Sequence, residues 1–232
     1  MDRHAIDTIG LDADDTLWHN EIHFQASQEK LARIVAPFAD RETLGKRLLE
    51  IEHRNLKLYG YGIKGFTLSM IEAAVNLSDH TISGGAIAEI IDIGRDMLVY
   101  PIEPLPGVMA TLAALRGRYR IVIITKGDLL DQEAKIARSG LGDLIDDVQI
   151  VSEKTAEVYT RIFGGPQAAK RAVMIGNSLK SDVLPALAAG AYGVHVPYHV
   201  TWALEHAEEP PLSPRFHRIE QLADVLQWLG QI

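Results

Sequence analysis

Short runs rich in β-branched apolar residues recur along this chain, each close to a stretch with helical spacing. They fall at residues 6–11, 119–125, 148–151, 172–175 and 192–196. A strand that is apolar on both sides has to be covered on both faces. The architecture that does this is a parallel sheet clothed by helices, so the expectation is an α/β fold. The helices between the runs read clearly. Val108, Leu112 and Leu115 make one stripe, ending at Gly117. Asp128 is placed to cap a helix that stops at Gly140, where glycine can take the left-handed conformation. Further helices are expected from about 155 to 163, from near Ser181, and over 219–229.

Residues 20–99 have a different texture. They contain no strand pattern and four amphipathic stripes: Leu31, Ile34, Val35 and Phe38; Leu44, Leu48 and Ile51; Phe66, Met70, Ala74 and Leu77; and Ile87, Ile90, Ile91, Gly94 and Leu98. Pro101, Pro104 and Pro106 then break the helical pattern. The first strand otherwise lacks a helix of its own, so 20–99 reads as a helical unit inserted into a core made of 1–19 and 100–232.

Composition narrows the function classes. A formal net charge of −8, with 31 acids against 23 bases, argues against a nucleic-acid binder, which needs a basic face. It leaves room for a small phosphorylated substrate, since one or two local cations suffice there. The chain has no cysteine, so disulfides, thiolate metal sites and a cysteine nucleophile are excluded. Residues 1–4 are charged and followed by only a short apolar run. No leader or membrane span is legible, and a soluble cytoplasmic protein is expected.

The strongest chemical signal is Gly10-Leu11-Asp12-Ala13-Asp14-Asp15-Thr16-Leu17. It follows the first apolar run directly, which puts the acids at the carboxyl end of a strand, where open α/β sheets bind ligands. Asp12 and Asp14 are two apart and in extended backbone point the same way. Such a pair can supply one anion to attack or bind metal and one neutral acid to donate a proton. A polar turn with Asp14 or Asp15 as a cap would explain the same residues. Three other strand ends add to the picture. One carries Thr125-Lys126-Gly127-Asp128 before a helix, a hydroxyl with backbone amides suited to an anion. Another carries Ser152-Glu153-Lys154. The last carries Gly176-Asn177-Ser178-Leu179-Lys180-Ser181-Asp182, rich in oxygen ligands.

In this order the motifs resemble the haloacid dehalogenase superfamily, and within it the phosphatases. The resemblance runs from Ile6 to about Val196. It implies a Rossmann-like three-layer core with a parallel sheet and an inserted all-α cap, here residues 20–99. It implies Asp12 as the nucleophile that forms an aspartyl-phosphate, and Asp14 as the acid and then the base. Thr125 and the amides of Lys126 and Gly127 would hold phosphate oxygens, and Lys154 would neutralise nucleophile and phosphate. Mg²⁺ would sit on Asp12, the Asp14 carbonyl and the fourth motif, with Asn177 and Asp182 as joint candidates. The charges support a metal independently: three ionised acids would repel a phosphate dianion unless Mg²⁺ and Lys154 offset them.

Asn177 departs from the family pattern, in which an aspartate commonly follows the glycine. An amide oxygen carries no charge and should bind Mg²⁺ more weakly. The function this resemblance implies is hydrolysis of a small phosphate monoester. A phosphosugar mutase shares the aspartyl-phosphate, and a catalytically weak phosphate-binding relative would fit Asn177. A haloacid dehalogenase needs no acid two residues on, and Asp14 argues against it. Among weaker candidates, His195 and His199 read as strand-end or rim residues rather than zinc ligands. Trp18 reads as an entrance residue or buried anchor, and Trp202 and Glu205 as surface. The loop from Tyr59 to Gly65 is the candidate for substrate selection.

Overall fold

A computed structural model describes residues 6–211 and 213–230, so the charged start at 1–4 lies outside it. The chain runs β1 (Thr8–Leu11), α1 (Glu21–Val35), α2 (Arg41–Tyr59), α3 (Ile63–Leu77), α4 (Gly84–Val99), α5 (Val108–Leu115), β2 (Arg120–Lys126) and α6 (Leu129–Arg138). It continues β3 (Asp147–Val151), α7 (Ala156–Ile162), α8 (Pro166–Ala169), β4 (Ala172–Gly176), α9 (Leu184–Ala188), β5 (Tyr192–His195), β6 (Phe216–Arg218) and α10 (Asp224–Gly230).

The six strands form one parallel sheet in the order β3-β2-β1-β4-β5-β6. This is the parallel α/β architecture the pattern called for, with the Rossmann-like core that the resemblance implied. The five expected strands lie within two residues of the apolar runs. Alternate residues explain why those runs are continuous. Ile121 and Ile123 pack on one face with Ile9, Leu11, Val173 and Ile175. Val122 and Ile124 pack on the other with Met174, Tyr159 and Phe163. Each fully buried aliphatic side chain contributes about 1.5–3 kcal/mol to folding.

β6 was not anticipated. It is a three-residue edge strand, paired only to β5, and its residues are half-buried or exposed. Nothing in it required an apolar run.

β1 lies in the middle, between β2 and β4. The chain builds outward through β2 and β3, then returns to the opposite side of β1 as β4. That reversal opens a crevice at the carboxyl ends of β1 and β4, the place where such sheets take ligands.

The contacts divide the chain into two units. One holds the sheet: the segment up to Glu21, Ile102–Lys126, and everything from Ala134 onward. The other is helical: Ile22–Pro101 together with Gly127–Glu133. The start of α6 therefore groups with the helices, although its place in the chain put it with the core.

Within the helical unit, the Asp40 carboxylate accepts the Thr43 amide at 2.7 Å to cap α2, and Ser83 accepts the Ala86 amide at 3.1 Å to cap α4. The buried face of α4 is Ile90, Ile93, Gly94 and Met97, while Ile91 and Leu98 are only partly buried. The apolar arc of this helix is wide, opposite Glu89, Asp92, Arg95 and Asp96, and packing buries one side of that arc more than the other. Phe38 lies past the end of α1 and is 42 % exposed rather than part of its stripe. Among the described residues, no helix is long and apolar enough to cross a membrane.

Candidate active site

β1 delivers Asp12 immediately after its last paired residue, and the Asp12 amide still donates to the Ile175 carbonyl at 2.9 Å. A tight loop follows, in which Asp15 takes φ 62°, a left-handed conformation that aspartate tolerates better than most residues. Its amide donates to the Trp18 carbonyl at 2.8 Å. The Asp15 carboxylate accepts the Asn20 amide at 2.8 Å and the Glu21 amide at 3.0 Å, so it caps the start of α1. Burial pushes Asp15 up to about 7, against the pull of those amides. Asp15 is thus a structural residue of the loop.

Asp12 sits in a charged cluster with almost no exposure. The Lys154 ammonium donates to Asp12 Oδ1 at 2.5 Å and to Asp182 Oδ1 at 2.6 Å. These three side chains are 9 %, 2 % and 1 % exposed for Asp12, Lys154 and Asp182. Asp12 Oδ2 accepts from the Thr16 hydroxyl at 3.1 Å. The same hydroxyl lies 3.4 Å from Asn177 Oδ1 and accepts the Asn177 amide at 3.1 Å. Burial pushes Asp12 up to about 7; Asp182 adds to this and Lys154 opposes it. Burial alone would lower Lys154, but Asp12 and Asp182 hold it well above its ordinary value, as an ammonium ion.

The fourth motif is shaped to present Asp182. Ser178 caps a turn of π type at Leu179–Val183, which leads into α9. The helix expected near Ser181 therefore begins with a wider turn. Asp182 Oδ2 accepts the Ser178 amide at 3.0 Å. A Cβ on Gly176 would lie 2.2 Å from Asp182 Oδ2, so only glycine lets this carboxylate reach across the end of β4. Gly127 is required for a second reason: its φ is +147°, and a Cβ there would lie 2.7 Å from the Gln132 amide nitrogen.

The donor set suits a hard cation. Asp12 Oδ2 and Asn177 Oδ1 flank one hydroxyl, and all the groups offered are oxygens. Two buried carboxylates share a single ammonium, a surplus of negative charge that a divalent cation would offset. The set holds few charges: among the described residues, no group of three or more His, Cys, Asp or Glu side chains could hold a metal ion. Both Asp182 oxygens take protein donors, and Asn177 Oδ1 takes the Thr16 hydroxyl, so both stay candidates beside Asp12.

The other expected site residues are placed as follows. Thr125 is buried at the end of β2, and its hydroxyl donates to the Lys126 carbonyl at 3.3 Å. The Lys126 ammonium contacts Glu205 Oε1 at 2.8 Å and the Ser181 hydroxyl at 2.8 Å, so what it has to offer a phosphate is its backbone amide. Asp14 Oδ1 accepts from the Trp18 indole at 2.8 Å, and the Lys135 ammonium lies 3.0 and 3.2 Å from the two Asp14 oxygens. Gly127 groups with the helical unit.

Five residues were missed, undervalued or left with alternatives open. Glu205 is not a surface residue: its carboxylate takes Lys126, the Ser178 hydroxyl at 2.6 Å and the Ser181 hydroxyl. Burial would raise its pKa, but Lys126 and the two hydroxyls hold it below the usual value. Trp18 is a buried anchor. His195 Nε2 meets the Asn177 carbonyl at 3.0 Å, which requires the Nε2–H tautomer and steadies the fourth motif. Lys135 had no signal beyond its helical position, and Thr16 was visible only as part of the first motif.

A model of the haloacid dehalogenase-like hydrolases matches residues 6–190. Among curated relatives, the pyrimidine 5'-nucleotidase YjjG of Escherichia coli (strain K12) is 32 % identical over 135 residues, 51 % of this chain and 56 % of that protein. A glyceraldehyde 3-phosphate phosphatase of Methanothermobacter thermautotrophicus is 28 % identical over 138 residues, 54 % of this chain and 59 % of that one. The matches thus span somewhat over half the length of these relatives. Among solved structures, a haloacid dehalogenase-like family hydrolase from Xanthomonas campestris superposes with TM-score 0.86 at 39 % identity, covering 98 % of this chain and 93 % of that one. The putative hydrolase YfnB of Bacillus subtilis, bound to magnesium, gives TM-score 0.65 at 17 % identity, covering 97 % and 99 %, a likeness of fold alone.

Proposed function

The chain belongs to the haloacid dehalogenase-like hydrolases, and on that premise we propose that it is a magnesium-dependent phosphatase acting on a small phosphate monoester through an aspartyl-phosphate on Asp12. The observation that carries this reading is the Asp12 carboxylate at a strand end, held by Thr16 and Lys154, with a second carboxylate two residues on. The names of the two curated relatives, a nucleotidase and a phosphatase, support the phosphate-ester class.

Asp12 attacks phosphorus, and the bond from phosphorus to the ester oxygen breaks. Asp14 gives that oxygen its proton, then takes one from the water that attacks phosphorus and frees Asp12 and inorganic phosphate. Thr125 and the amides of Lys126 and Gly127 hold the non-bridging oxygens. Lys154 offsets the charge shared by Asp12 and the phosphoryl group. Asp12, the Asp14 carbonyl and Asn177 or Asp182 are the residues that would hold magnesium, with Asp182 also keeping Lys154 in line. Bound there, the ion would supply positive charge to the transferring group. The helical unit around residues 22–101 is proposed as the cap that selects the ester.

Purified protein with Mg²⁺ is expected to release inorganic phosphate from some members of a panel spanning nucleoside monophosphates, triose and sugar phosphates and p-nitrophenyl phosphate. Phosphoryl transfer to a sugar without free phosphate would make it a mutase instead. Magnesium-independent halide release from a 2-haloacid would make it a dehalogenase. Binding of esters with no turnover would sink the catalytic reading.

Asn177→Asp supplies the missing charge and is expected to tighten magnesium binding on the order of tenfold, about 1.4 kcal/mol, measured by calorimetry without substrate. An unchanged affinity would remove Asn177 from the metal's ligands.

A further inference from the structure

α6 has polar side chains at its buried positions, beside Ile136 on the apolar core. Asp131, Gln132 and Lys135 are each buried there, where a helix against a core normally offers apolar residues. Burying a lysine is costly, and a buried ion pair returns little net stability compared with apolar residues of the same volume. Lys135 is 5 % exposed. Its ammonium lies 3.0 and 3.2 Å from the two Asp14 oxygens and 2.9 Å from Asn20 Oδ1.

Trp18 completes the arrangement. Its indole donates to Asp14 Oδ1 at 2.8 Å, and its ring has no solvent exposure, so it cannot shift to follow a moving carboxylate. Asp14 is therefore gripped by two donors from two separate elements, the loop after β1 and α6. A carboxylate on a short side chain has two rotatable bonds, and donors from two directions define both.

We propose that Lys135 is a positioning residue for the reaction: it orients the Asp14 carboxylate for proton transfer with the ester oxygen. This rests on the reading of Asp14 given above. A misplaced proton donor matters most for esters whose alcohol departs poorly without a proton. It matters little for p-nitrophenyl phosphate, whose leaving oxyanion is stable by itself. The quantity to measure is kcat/KM, which reports the steps through departure of the alcohol.

The test compares p-nitrophenyl phosphate with the best alkyl phosphate from the panel. Lys135→Met is expected to lower kcat/KM about tenfold or more for the alkyl ester and less than about twofold for the nitrophenyl ester. The Asp14→Asn variant should lose more on the alkyl ester than on the nitrophenyl ester, and adding Lys135→Met to it should cost nothing further on the alkyl ester. The ratio of the two esters is taken within one preparation, so a partly unfolded sample does not distort it. If the methionine variant gives no folded protein, Lys135→Gln is used instead. Its shorter side chain grips Asp14 less firmly, so a smaller loss confined to the alkyl ester is expected, and the absence of a selective loss would overturn the role.

Equal losses on both esters, or losses that add to those of Asp14→Asn, would overturn the role of Lys135 while leaving the phosphatase reading intact. A wild-type protein that hydrolyses neither ester would overturn the phosphatase reading, and this inference with it.

Discussion

Asp12→Asn is expected to reduce phosphate-ester turnover on the order of 10⁴-fold or more while the protein stays folded. An amide of the same shape cannot attack phosphorus, so the covalent route is closed. The fold should tolerate the change. The asparagine oxygen can still accept from Lys154, and Thr16 can turn its hydroxyl to accept from the new amide. Charge favours the variant: burial and Asp182 disfavour ionised Asp12, which is why its pKa lies near 7. A neutral residue removes that penalty. Without added divalent cation, the melting temperature should be unchanged or higher than that of the parent. Kinetics and a thermal melt on the same preparation check both halves. Turnover persisting at the parental rate would mean that Asp12 is not the nucleophile, and the proposed mechanism would fall.

Lys154→Met is expected to damage both stability and activity, for one reason. Asp12 and Asp182 are buried on either side of a single ammonium. Removing the lysine leaves two carboxylates without a countercharge, a change that costs about 3–5 kcal/mol when a buried pair is broken. For a chain of this size that corresponds to a fall in melting temperature of about 6–20 °C. Phosphate release should fall to background, since the charge opposite the transferring phosphoryl group is gone. Lys154→Met combined with Asp182→Asn should recover part of the lost stability, because one of the stranded charges is removed, but no activity. A Lys154→Met protein that melts at the parental temperature would show that other groups neutralise the two acids.

The two variants separate functions that the site combines. In the proposed mechanism Asp12 supplies the reacting atom, and it gains nothing in stability from being charged in the absence of a cation. Lys154 would supply the field there, and its ammonium joins Asp12 to Asp182. The contrast between a silent melt in one variant and a depressed melt in the other is the physical signature expected of a nucleophile beside its countercharge.

Legibility in the chain followed burial. β1, β2, β4 and β5 could be read because both faces of a central parallel strand are covered, which forces a continuous apolar run. β3, a half-buried edge strand, was still marked by Val148, Ile150 and Val151. β6 could not, because a half-exposed edge strand of three residues carries no such demand. The helices of residues 20–99 were visible as helices from their spacing. Which side each one buries was less visible, as Phe38 and the face of α4 show. Spacing gives a periodicity, and a wide apolar arc leaves its neighbours to choose which edge is buried.

The acids and the lysine of the site could be listed in advance because each stands at the end of a recognisable strand. Their partners could not. Lys135 reaches Asp14 across 121 positions, and Glu205 reaches Lys126 across 79. Neither sits in a motif, and a lysine or glutamate in an ordinary helix or loop normally faces water.

Local pattern was enough for the parallel sheet, for the ends of its strands and for the order of the chemical groups along them, because burial and hydrogen bonding in a strand act residue by residue. Which charge neutralises which depended on the folded chain bringing distant groups within 3 Å of one another in a space that excludes water. Coulombic pairing there is a property of position in three dimensions, and no spacing along the chain encodes it.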